Sequence, residues 1–155
     1  MAGFLADRVA PISARAFPAI DGHPMTIPLP QTNADMLPFL AALLTMLFGL
    51  VALFAPRLTF RALRLTTVER HPEAIGESRA TIAGFWLGVG LVSAAFYDQP
   101  FVQMALGAGW LFTGFGRLVS ILSDRGATLY NWLFLTLNLI LALMALAPVL
   151  GLVSS

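Results

Sequence analysis

The chain has 155 residues, 58% of them hydrophobic and 11% charged, with a mean hydropathy of +0.82. A soluble domain carries roughly 25% charged residues, so this surface cannot all face water, and a water-soluble globule is excluded. All nine cations are arginine, net charge is +1 and there is no cysteine, which excludes a basic field for nucleic acid, disulfides, thiolate metal sites and a cysteine nucleophile.

Residues 1–35 read as an extended arm. Prolines at 11, 18, 24, 28 and 30 fix φ and favour turn or polyproline-like backbone. Asp7, Arg8, Arg15 and Asp21 interrupt any continuous apolar stretch, so the start is not expected to be a secretory signal. Phe4, Leu5, Phe17, Pro28 and Pro30 are the arm's expected docking residues for a partner.

Residues 36–155 form the second unit, expected to be all-α: an integral membrane four-helix up-down bundle. The first span is expected over 36–55, matching the roughly 20 residues a hydrocarbon core requires, with Asp35 as N-cap and Pro56 as its end. Residues 57–65 then form a short interfacial helix. Arg57, Arg61 and Arg64 fall at i, i+4 and i+7, opposite Leu58, Leu63 and Leu65, which puts arginines toward headgroups and leucines toward acyl chains. The further spans are expected over 76–96, 101–122 and 129–150, separated by the turns Tyr97-Asp98-Gln99-Pro100 and Ser123-Asp124-Arg125-Gly126. Tyr130 and Trp132 sit where interfacial aromatics belong, and short loops make successive helices antiparallel neighbours.

Arginine placement gives the expected orientation. Arg57, Arg61, Arg64, Arg70 and Arg79 cluster around the first interhelical loop and Arg125 lies in the last, whereas the loop at 97–100 has no cation. Positive-inside counting places the arginine-bearing loops in the cytoplasm and both termini in the periplasm of a bacterial inner membrane.

Charges inside a span cost at least about 2.5–3.5 kcal/mol on insertion scales and normally pair. Glu77 and Arg117 are the two that matter. In the second span Ala80, Gly84 and Gly88 repeat every fourth residue, and Glu77 lies seven before Gly84. In the third, Ala105, Gly109 and Thr113 do the same, and Arg117 continues the row. Small residues at this spacing let helices approach closely. A Glu77–Arg117 ion pair across the second and third spans is therefore expected, as a clamp on helix register or as a site for a proton or an acidic headgroup. Asn138, with Asn131 seven before it, is expected to make an interhelical hydrogen bond. Gln103, near the outer end of the third span, is expected in solvent.

Other signals fail their context. Gly107-Ala108-Gly109 and Gly114-Phe115-Gly116 lie within a hydrophobic helix with no preceding strand, so they are not phosphate loops. His23 and His71 have no companions at ligand spacing, so no metal and no cofactor is expected. No nucleophile–base set is legible, so an enzyme is not expected.

Pro56 with its Arg/Leu segment, Glu77-Ser78-Arg79 entering a Gly-rich helix, and Gly116-Arg117-Leu118-Val119-Ser120 before Asp124-Arg125-Gly126 resemble a family of uncharacterised small bacterial inner-membrane proteins, catalogued as domain of unknown function 4345. The resemblance covers 36–150. It implies the same four-helix fold, draws attention to Glu77, Arg79, Gly84, Arg117 and Asp124, and implies no activity. Two functions remain in play. One is a non-catalytic accessory subunit of a larger membrane complex, photosynthetic or respiratory, whose partners are other integral membrane subunits and lipids. The other is a small-solute, proton-coupled or lipid-handling carrier using Glu77 and Arg117.

Overall fold

The structure, a computed structural model, describes residues 29–66, 73–124 and 126–153. Of the arm residues singled out above, Phe4, Leu5, Phe17 and Pro28 lie outside the described residues, as do His23 and His71.

Every element among the described residues is helical. The first, α1, spans Asn33–Phe54 and starts before the expected boundary. Thr32, not Asp35, is its N-cap. The Thr32 hydroxyl accepts from the Asp35 amide at 3.2 Å and donates to Asp35 Oδ2 at 2.8 Å, a reciprocal closure of the capping-box kind. Ala55 ends α1, and Pro56, which needs no amide partner, opens the short α2 over Pro56–Leu63. Arg64 closes α2 in the left-handed region, φ 55°, where the Leu65 amide can reach the Phe60 carbonyl at 2.8 Å.

The next helix, α3, covers Glu73–Ala95 and contains a π-helical turn at Ser78–Ala83. After the turn at Tyr97, α4 covers Pro100–Ser123 with proline in its first position. The last, α5, covers Leu129–Leu146, capped by Thr128. It stops short of residue 150, the chain turning through Pro148 to Gly151 at φ 68°. Four of these helices (α1, α3, α4, α5) are long and apolar enough to cross a membrane.

Packing makes two hairpins, α1 with α3 and α4 with α5, joined where α1 meets α5. Contact between α3 and α4, successive in the chain, is slight. The seam of the first hairpin is set by Gly49 and Gly90. A Cβ on Gly90 would lie 2.6 Å from the Met46 amide nitrogen, and one on Gly49 would lie 2.7 Å from that of Leu87. Only glycine allows two backbones this close.

The core cluster is Ala41, Ala42, Leu106, Trp110, Leu141, Ala142 and Ala145, in the half of the bundle remote from α2. Small residues from α1 and α5 admit the one large indole. Trp110 Nε1 donates to the Thr45 hydroxyl at 2.9 Å, which donates to the Ala41 carbonyl at 2.8 Å, so both buried polar groups are satisfied.

At the α3–α4 turn Gln103 is buried, not solvated, because its side-chain amide donates to the Tyr97 carbonyl at 2.6 Å. Tyr97 is buried edge-on against Phe39. Burial, with the nearby carboxylates of Asp35 and Asp98, pushes its phenol above the ordinary value.

Candidate functional site

Arg117 is a membrane-embedded cation whose surroundings are built with care from the neighbouring helix. It lies on α4, six residues before the helix end, about 9 Å along the axis at 1.5 Å per residue. Its partners come from α5. The Thr128 hydroxyl accepts from the Asn131 amide at 3.3 Å, and Asn131 Nδ2 donates to the Gly126 carbonyl at 2.8 Å. That fixes the side chain with Oδ1 turned to Arg117 Nη1, at 3.5 Å. Asn138, one heptad on and 2% exposed, completes the set. Oriented to satisfy both its ends, its amide oxygen accepts from Arg117 Nε at 3.2 Å and its nitrogen donates to the Phe134 carbonyl at 3.3 Å. The Arg117 guanidinium also lies 4.7 Å from the centroid of the Phe134 ring, within cation–π range.

The Glu77–Arg117 ion pair expected from the sequence is not formed. Among the described residues no carboxylate pairs with Arg117. Glu77 is exposed and accepts from the Thr81 hydroxyl on its own helix. The cause lies in the packing, because the first span, not the third, receives the packed face of α3.

The small-residue rows do not pack against each other either, and Ala105, Gly109 and Thr113 line an open cleft between α3 and α4. Ala80, Gly84, Gly88, Ala105, Gly109 and Thr113 are all exposed. A Cβ on Gly88 or Gly109 would meet nothing within 4 Å. Inside the bundle their place is taken by Ala83, Gly90 and Ser93 on α3 and by Leu106, Gly107, Trp110 and Gly114 on α4. Arg57, Arg61 and Arg64 are exposed, and so are Leu58 and Leu65, while Pro56 and Thr59 form the buried side of α2. Pro30, the one arm docking residue within the described residues, is half-buried.

Near α2 the four spans part around a pocket of ≈ 450 Å³. Phe48 and Val51 of α1, Leu58 and Leu63 of α2, Trp86 of α3 and Trp110 of α4 give it an apolar wall, and Arg117 and Asn138 supply its polar end. Sequence reasoning missed the aromatic part of this site. Phe48, Trp86 and Trp110 stand with ring centroids 6.0–6.1 Å apart. Tyr130 stacks on Phe134 at 4.6 Å, carries the Arg64 guanidinium 4.3 Å from its ring centroid, and donates its hydroxyl to the Ala62 carbonyl, tying α2 to α5. The legible signal was Asn131 and Asn138 on one face of α5, two polar groups suited to an arginine from the neighbouring helix. Among the described residues no group of His, Asp or Glu is arranged to hold a metal ion.

No curated protein and no solved structure matches the chain. The family described as Domain of unknown function (DUF4345) matches residues 35–149, which takes in α1 from Asp35 onward, the other three spans and every residue around Arg117. The chain therefore belongs to the DUF4345 family.

Proposed function

We propose that this multi-pass protein is a non-catalytic accessory subunit of a larger membrane assembly, seated in a bacterial inner membrane with the α2 side in the cytoplasm and both termini opposite. The observation that supports the subunit role is the exposed small-residue row of α3. Hydrocarbon gains nothing from Gly76, Ala80, Gly84 and Gly88, all exposed on α3, whereas a neighbouring helix can approach such a groove closely. The host is an integral membrane complex, and an energy-converting one suits a small bundle of this kind. The arginines of α2, exposed at one end of the bundle, support the orientation. A carrier working through Glu77 and Arg117 together has no joint site, because the two side chains engage different partners.

The absence of native cysteine makes the test clean. In native membranes, Gly88→Cys labelled with a short photo-crosslinker is expected to capture another polypeptide, and Leu133→Cys, exposed on α5, is not. Recovery of only the 16.6 kDa chain from both positions would contradict the subunit reading.

A further inference from the structure

We propose that the pocket beside α2 holds one acyl chain of an anionic phospholipid, with the phosphate drawn to Arg117 and Arg64. The site is independent of the subunit role and of any partner helix.

Charge is the first consideration. Arg117 is half-buried at membrane depth, and its partners are two neutral amides and an aromatic face. These groups solvate the guanidinium, and none of its partners among the described residues carries a compensating charge. A lone cation in hydrocarbon is costly, and the cost is met by an anion or by reaching the interface. Arg64 brings a second charge to the Tyr130 ring beside the pocket. It is held over the Tyr130 ring at 4.3 Å, and Arg117 lies 5.9 Å from the centroid of that ring. Among the described residues neither guanidinium meets a carboxylate. Arg64 keeps this position with its backbone in the left-handed region, an arrangement that L side chains rarely adopt. A phosphate monoanion is the group that two arginines at an interface are suited to hold.

Below the two charges lies space for a tail. The pocket volume, ≈ 450 Å³, falls within the usual range for a small-molecule site. Its walls are hydrocarbon and aromatic, and it reaches the bilayer past Leu47 and Leu58, both about half exposed. A smaller cleft of ≈ 220 Å³ between α3 and α4 shares Trp86, Trp110 and Thr113 with it, extending the apolar path toward the far leaflet along the open seam. A soluble anion would leave this volume unfilled. A zwitterionic lipid would bring its own cation toward two arginines. The bilayer's anionic phospholipids supply both the acid and the chain.

The two pocket tryptophans provide the readout. In a Trp132→Phe background the only indoles are Trp86 and Trp110, both on the pocket wall. The full chain is reconstituted in unbrominated phosphatidylcholine vesicles doped with phosphatidylglycerol or phosphatidylcholine brominated on the acyl chain. Brominated phosphatidylglycerol is expected to quench at about tenfold lower mole fraction than brominated phosphatidylcholine, the preference one charge-assisted hydrogen bond supports. Unbrominated phosphatidylglycerol should reverse the quench, and Arg117→Gln should remove most of the preference. Equal quenching by the two lipids in the parent protein overturns the proposal. So does selective quenching by a brominated free fatty acid but not by either phospholipid, which would make the occupant a free carboxylate. If Arg117→Gln does not fold, the two-lipid comparison and the competition in the parent protein decide the question.

Discussion

Arg117 shows what a sequence can and cannot say about a buried charge. Its depth and its need for a polar neighbour were legible from hydropathy alone, because a charge in lipid must face protein. The identity of the neighbour was not. Glu77 carries the opposite charge, but electrostatic complementarity between two helices matters only if those helices pack. The asparagines of α5 carry no charge, yet they stand on the helix that α4 does pack against. A double-mutant cycle separates the cases. Replacing one member of a buried ion pair costs about 3–5 kcal/mol, with strong coupling between the two sites. Glu77→Gln and Arg117→Gln are expected to be additive within about 0.5 kcal/mol in thermal unfolding, whereas Arg117→Gln and Asn138→Leu should be clearly non-additive. Ser78 offers a smaller check. Its buried hydroxyl finds no partner among the described residues, so Ser78→Ala is expected to leave the melting temperature unchanged or raise it.

At the scale of the element, apolar runs and the prolines at 56 and 100 made most boundaries legible, whereas the caps Thr32 and Thr128 and the end at Leu146 were not, Asp35 and residue 150 being expected instead. Faces were harder to read. In water an apolar stripe identifies the inside of a helix, but in lipid both sides are apolar and the stripe carries no such information. α3 has small residues on two sides, and spacing alone chose Ala80, Gly84 and Gly88, which face away from the bundle. The distinction is testable with one substitution on each face. Gly90→Leu drives a side chain into the α1 backbone and should destabilise the isolated protein by about 1–3 kcal/mol. Gly88→Leu points into open space and should leave the isolated protein's melting temperature unaltered while weakening association with a partner in native membranes.

The whole molecule is a pair of hairpins fastened at one end and parted at the other. Small residues and one hydrogen-bonded tryptophan close the half remote from α2, and bulky aromatics hold the half beside α2 open around Arg117. The four-span topology was within reach of sequence reasoning, because short turns between antiparallel spans leave few alternatives. The unequal spacing of the hairpins was not, since it depends on where Gly49, Gly90 and Gly107 let helices approach. The Arg117 site requires α4 to present its Gly114–Arg117 side to α5, and the exposure of Gly88 and Gly109 requires the two small-residue rows to stay unpacked against each other. Paired cysteines in this cysteine-free chain measure that directly. A Cβ on Gly114 would lie 3.6 Å from Asn138 Cβ, within disulfide range, so Gly114→Cys with Asn138→Cys should oxidise readily in membranes, and Gly88→Cys with Gly109→Cys should stay reduced within one chain. Rapid intramolecular bridging of the second pair, with the first unreactive, would contradict it.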